Sequence, residues 1–251
     1  MEIEKKDKRI IKTVIATLVL LIAFFVQGAV VVMWGITGVN SALYRGGIIW
    51  TLVILTLLYY ALKYKSLNKL GFVRMEKGTA KRLLFFIPLF AIAFSHFIAG
   101  VDSGIGIKFG LANIFFTLSI GMAEEIYFRG IICNLWLEKG MVKAMLISAV
   151  LFGLCHLLNI AGGASLTATA LQICFAFIYG LVFALLFAVG KSIVPCVFLH
   201  ALHDFCSFIS ADGSITFNIV LGSIQFVILS IYFAYLIKTN VLNKKKEEIK
   251  Y

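Results

Sequence analysis

Three groups of ionisable residues sit inside otherwise apolar runs of this chain: Glu124, Glu125 and Arg129; His156; and His200, His203 and Asp204. Glu125 and Arg129 are four apart, so on a helix they share a face and can pair. Glu124 is five from Arg129 and points away from it. That spacing divides the labour: Arg129 neutralises and orients Glu125, while Glu124 stays free to exchange a proton as a general base. Phe152 and His156 are four apart, which packs a ring on the face presenting the imidazole. His200 and Asp204 have the same spacing and can converge on one point. His203 adjoins Asp204 on a neighbouring face, as a supporting partner or a packed core histidine. His96, beside Ser95, reads as a packing residue. A base, two imidazoles and a carboxylate suit water activation with oxyanion stabilisation, the minimum for peptide hydrolysis. They also suit a metal site, zinc at His156, His200 and Glu124, with a coordination position left for water. The plain alternative is an ion-paired helix interface with incidental histidines.

The elements that position these groups must cross a membrane. Of 251 residues, 61% are hydrophobic and 14% charged, and the mean hydropathy is +1.01. A soluble domain carries about 25% charged residues, and this chain lacks the polar residues to cover a soluble core. Soluble enzymes and disordered scaffolds are thereby excluded. Apolar stretches of roughly 17–25 residues cross a bilayer as helices; they fall near 13–36, 46–62, 83–100, 109–136, 144–161, 168–190, 194–210 and 215–237, the seventh being short. The expectation is an all-α polytopic transmembrane bundle of about eight spans, one membrane domain over 1–251 with a charged tail at 238–251. The segment 63–82 reads as an amphipathic interfacial piece or a solvated loop.

With eight spans alternating, 20 of the 23 Lys and Arg residues fall on one side. The exceptions are Arg45, Lys108 and the intramembrane Arg129. The net charge of +11 is therefore a positive-inside signal that places both termini in the cytoplasm, not a nucleic-acid footprint. All five cysteines lie in or at the ends of apolar runs and read as small packing residues.

Nine of the twelve acidic residues lie in tails and loops, leaving Glu124, Glu125 and Asp204 inside spans. At a rise of 1.5 Å per residue, Glu124 lies about 21 Å from Glu138, and His156 about 20 Å from Lys143. His200 and Asp204 lie about 14 and 20 Å from Lys191. Three helices thus deliver polar groups to one layer. Such costly intramembrane charges usually mark a functional site.

Glu124–Glu125–Ile126–Tyr127–Phe128–Arg129–Gly130 resembles the EExxxR motif of the CAAX protease and bacteriocin-processing family (CPBP, or Abi) of intramembrane proteases. Phe152–Gly153–Leu154–Cys155–His156 is similar to that family's FxxxH motif, and His200–Ala201–Leu202–His203–Asp204 to its His-x-x-x-Asn/Asp motif. The resemblance covers roughly 65–210, including the Leu70–Gly71–Phe72 step. It implies that Glu124 activates the attacking water, that His156 helps position it, and that His200 and Asp204 stabilise the oxyanion. Glu125 and Arg129, with Phe152 and His203, would support the site. The family often has Asn where this chain has Asp204, and a carboxylate cannot donate as an amide does. The resemblance leaves the protease class, glutamic or metallo, open.

The leading expectation is a multi-pass endopeptidase of the cell membrane that acts on a membrane-associated peptide or protein, its site open towards the cytoplasm. CAAX-type processing, bacteriocin or peptide maturation and immunity are the roles implied. A non-catalytic immunity or scaffold protein is the competing class. A proton-coupled transporter is a third, without the inverted halves or paired broken helices such transporters show.

Overall fold

The computed structural model describes residues 2–242, with side chains from residue 8 onward; residues 243–251 of the charged tail, and the Lys5 and Lys6 side chains, lie outside them. The described chain is helical, with one isolated antiparallel bridge, Val101 to Ser210, in place of any sheet. Its principal helices are α1 (Glu2–Met33), α2 (Gly38–Tyr64), α3 (Leu84–Ala99), α4 (Ile107–Leu137), α5 (Met141–Ala161), α6 (Leu166–Gly190), α7 (Val194–Ile209) and α8 (Ile215–Leu242).

These helices fall where the eight apolar stretches lie, but they are not alike. Six are long and apolar enough to cross a membrane, while α3 and α7 are shorter. Sixteen residues rise about 24 Å, short of the roughly 30 Å hydrocarbon thickness. Local sequence causes both truncations. In α3, Leu84, Phe85 and Phe86 all have positive φ, so the regular helix starts only at Ile87, with Pro88 in its first turn. From His96 the backbone tightens into 3₁₀ turns that end at Gly100. Pro195 likewise fixes the start of α7, which ends at the extended Ser210.

α6 is the axis of the bundle. Ile178 to Ala188 are buried without a break, as expected for a helix that is apolar on every side. α5 packs along it, while α4 packs on α2 on one side and on α7 on the other. α1 and α2 are peripheral, and Ile11, Ile15, Ile22 and Phe25 of α1 and Ile54, Leu58 and Leu62 of α2 turn outward. Outward apolar faces of this kind suit acyl chains as solvent. Polar pairs tie the remaining helices together: Tyr232 Oη donates to the Leu83 carbonyl (2.7 Å), and Gln225 Nε2 to Ser95 Oγ (2.9 Å).

The segment 63–82 is neither a free loop nor a single amphipathic helix. A 3₁₀ turn, Asn68–Leu70, buries Leu70 completely. Gly71 follows at φ +87°, where a Cβ would lie 2.5 Å from the Phe187 ring, so only glycine fits. Its carbonyl accepts from Ile193 N (2.8 Å), which anchors the start of α7. All five cysteines are free thiols.

Candidate active site

The site forms where α4, α5, α6 and α7 meet, and a glycine decides how closely two of them approach. A Cβ on Gly121 would lie 3.0 Å from Ala201 N and 3.1 Å from the Val197 carbonyl. α4 and α7 are therefore in backbone contact. One turn beyond Gly121, on the same side of α4, Glu125 meets His200: His200 Nδ1 is 2.8 Å from Glu125 Oε1. The same oxygen accepts from Arg129 Nη1 at 2.9 Å. Neither Glu125 nor Arg129 has any exposed side-chain surface. The Glu125–Arg129 pairing expected from the four-residue spacing is thus present, and its object is His200.

Arg129 is held from several directions. Its Nη2 donates to the Gly180 carbonyl of α6 (3.3 Å). Its guanidinium carbon lies 4.6 Å from the Phe152 ring centroid and 5.5 Å from that of Phe183, a cation–π cage in a dry site. Beyond Glu125, α4 is wound as a π-helix from Ile126 to Cys133, a feature frequent at functional sites. Tertiary contacts hold the wide turns: Ser148 Oγ of α5 donates to the Phe128 carbonyl (2.9 Å). Gly130 lets the segment close on Leu70, whose carbonyl would be 2.8 Å from a Cβ there.

With Nδ1 turned to Glu125, His200 presents Nε2 to the other two acids. Glu124 Oε2 is 3.4 Å away and Asp204 Oδ2 3.8 Å away. A carboxylate paired with an arginine only accepts, so His200 Nδ1 carries a hydrogen and donates it. Nε2 is then the nitrogen that faces Glu124 and Asp204. These two acids keep 13% and 21% of their side-chain surface accessible, unlike the sealed Glu125. Of the two adjacent glutamates, Glu124 is therefore the one that can be reached from outside the packed helices.

His156 closes the α5 side. Its Nδ1 lies 3.0 Å from the Phe152 carbonyl, and a carbonyl only accepts, so Nδ1 carries the hydrogen and Nε2 is left with its lone pair. Phe152 joins the two histidines edge-on, with ring centroids 5.3 Å from His156 and 5.7 Å from His200. Among the described residues His156 makes no hydrogen bond to the acids, so Phe152 sets its place, through both its carbonyl and its ring.

His203 is a partner and not an isolated core residue. Its Nδ1 is 3.4 Å from Asp204 Oδ1, and its Nε2 is 3.2 Å from His96 Nε2. Sequence reading assigned His96 to packing, and the structure places it next to the site. Tyr179 of α6 was not singled out at all. It is buried, with its ring 5.7 Å from His200 and 5.3 Å from His203. One tyrosine in an apolar span offers no chemical signal; only the three-dimensional packing reveals it.

For zinc, His156, His200 and Glu124 were the candidate ligands. Among the described residues, no group of three or more His, Cys, Asp or Glu is arranged to hold a metal ion.

Residues 106–206 match the family model described as type II CAAX prenyl endopeptidase Rce1-like. The matched segment runs from the start of α4 into α7 and contains every residue of the site except His96. This match bears out the resemblance to the CAAX proteases. No curated protein matches the chain. Over that segment the chain is similar to a protease family, and six of its described helices are long and apolar enough to cross a membrane.

Proposed function

We propose that the chain is an intramembrane endopeptidase of the CAAX-processing kind, with Glu124 as the base that activates water. One observation carries this reading: His200 Nε2 lies within 4 Å of both accessible acids while its Nδ1 is fixed by the buried Glu125–Arg129 pair. In the proposed reaction, the Glu124 carboxylate takes a proton from water and the oxygen attacks the scissile carbonyl carbon. The oxyanion forms against His200 Nε2–H. The intermediate then collapses, the C–N bond breaks, and Glu124 returns the proton to the leaving amine. The products are a new carboxylate and a free amine. Positioned acid–base catalysis of this type contributes about 10²–10⁴-fold, and an oxyanion donor in a dry site about 10²–10³-fold.

The roles of the other residues follow from their partners. Asp204 accepts from His203 Nδ1 (3.4 Å), and its charge, 3.8 Å from His200 Nε2, favours a hydrogen on that nitrogen while leaving it free to meet the oxyanion. Aspartate offers the same carbonyl-type oxygen to His203 as the asparagine often found at this position in the family. His156 Nε2, with its free lone pair, accepts from the attacking water. The substrate is a peptide or protein already at the membrane, since the acids lie within apolar helices. A cell-membrane location and an orientation with the basic face in the cytoplasm complete the proposal. Bacteriocin maturation and immunity are roles consistent with the same chemistry.

Comparative peptidomics of membranes carrying wild type or Glu124→Gln tests the function and identifies substrates together. Peptides ending at new carboxylates should appear only with wild type. Identical peptidomes combined with an unchanged phenotype would favour a non-catalytic membrane partner instead.

A further inference from the structure

Away from the active site, a cavity of about 900 Å³ lies between α1, α2 and the π-helical segment of α4. Its size is at the upper end of small-molecule sites. The lining changes character from one end to the other. The shaft is apolar, with Ala16 and Val19 of α1 facing Leu55 of α2; Val19 and Leu55 are 38% and 60% exposed, so it opens sideways towards the acyl chains. At the floor, Tyr127 Oη and Thr56 Oγ1 share a hydrogen bond (3.0 Å).

The other end is basic. Lys12, Lys63, Lys69 and Lys191 all line the cavity, and all four are exposed. They belong to the start of α1, the end of α2, the loop after it and the end of α6, so antiparallel helices bring them to one end of the bundle. None of the four forms an ion pair with an acid among the described residues. The acidic lining residue, Glu138, is engaged by Arg9. Tyrosine rings steer two of the cations instead: Lys69 Nζ lies 4.1 Å from the Tyr64 centroid and Lys63 Nζ 4.9 Å from that of Tyr59.

We propose that this cavity is a binding site for one anionic phospholipid, its phosphate among the four lysines and an acyl chain along Val19 and Leu55. The apolar shaft alone would accept any acyl chain. Uncompensated positive charge at its end discriminates, because it favours a headgroup with net negative charge over a zwitterionic one. The cavity wall formed by Tyr127, Gly130 and Ile131 belongs to the same π-helical segment that carries Arg129. An occupied cavity therefore buttresses that segment from the side opposite the active site. The inference is independent of the proteolytic reading, and its test needs no substrate.

Native mass spectrometry of the detergent-solubilised full chain, titrated with phosphatidylglycerol or phosphatidylcholine of matched chains, reads binding directly. Phosphatidylglycerol should bind as one strong equivalent, and phosphatidylcholine more weakly. At about fivefold in affinity per basic residue, Lys63→Gln with Lys69→Gln should weaken phosphatidylglycerol roughly 25-fold. Lys108→Gln, near the start of α4 and far from the cavity, should change nothing. Leu55→Trp, which fills the shaft without touching charge, should also weaken it. Inorganic phosphate at the same concentration should not displace the lipid, which separates a lipid site from a simple anion site. Equal affinity for the two lipids, or an unchanged titration in the double lysine variant, would overturn the proposal. Displacement of phosphatidylglycerol by an uncharged prenylated peptide at equal concentration would overturn it too, by making the shaft a substrate channel.

Discussion

Glu125, Arg129 and His200 form a buried chain whose members can be removed singly or together, which makes stability and activity separable. Arg129→Met leaves the Glu125 carboxylate sealed from water without its guanidinium partner. Breaking a buried ion pair from one side costs about 3–5 kcal/mol, and the lost Gly180 contact and cation–π cage add to that. Glu125→Met strands Arg129 in the same way and should cost a similar amount. The double variant, Glu125→Met with Arg129→Met, removes both charges from an apolar site. What then remains unsatisfied is the His200 Nδ1–H, worth about 1–3 kcal/mol as an orphaned buried donor. Reversible unfolding in mixed micelles of a denaturing detergent should therefore show the double variant to be more stable than either single one. Its cleavage of a membrane-partitioned peptide should stay as low as theirs, because His200 has lost the acceptor that fixes its ring. A double variant whose destabilisation equals the sum of the singles would refute the coupling. One that recovers activity along with stability would refute the role given to Glu125.

Other substitutions probe the same geometry from different sides. Gly121→Val places atoms against the α7 backbone, where even a Cβ would lie 3.0 Å from Ala201 N; thermal unfolding should show about 1–3 kcal/mol lost to overpacking, and steady-state kinetics a fall in kcat as Glu125 and His200 separate. Asp204→Asn keeps an acceptor for His203, so kcat/KM should stay within about tenfold, or 1.4 kcal/mol, of wild type, whereas Asp204→Ala should fall well below that. Phe152→Ala removes the ring that touches His156, His200 and Arg129 and should cost about 3–5 kcal/mol of stability, measurable by the same detergent unfolding.

The chemistry of the site was more legible in the sequence than its architecture. Charged residues are so costly in apolar helices that Glu124, Glu125, Arg129, His156, His200 and Asp204 stood out by position alone. The four-residue spacing also revealed which glutamate pairs with Arg129. Depth counts along each helix placed the three motifs in one layer, but they carry no information on rotation about the helix axes. The contact of His200 Nδ1 with Glu125, across 75 positions in the chain, was accordingly invisible. So was the π-helix, which depends on partners outside α4: Ser148 for the Phe128 carbonyl and the Leu70 backbone beside Gly130. His96 looked like packing because its partner, His203, sits 107 residues away. The truncation of α3 had a signal in Pro88, yet the left-handed turn before it came from bulky residues, Leu84 to Phe86, that rarely adopt one.

Hydrolysis by purified wild type and Glu124→Gln, side by side in ¹⁸O-labelled water with a prenylated peptide, tests the central claim most directly. Wild type should place one ¹⁸O in each new carboxylate, and Glu124→Gln should cleave about 10²–10⁴-fold more slowly while unfolding at the same detergent concentration. Cleavage by Glu124→Gln at the wild-type rate would contradict the account.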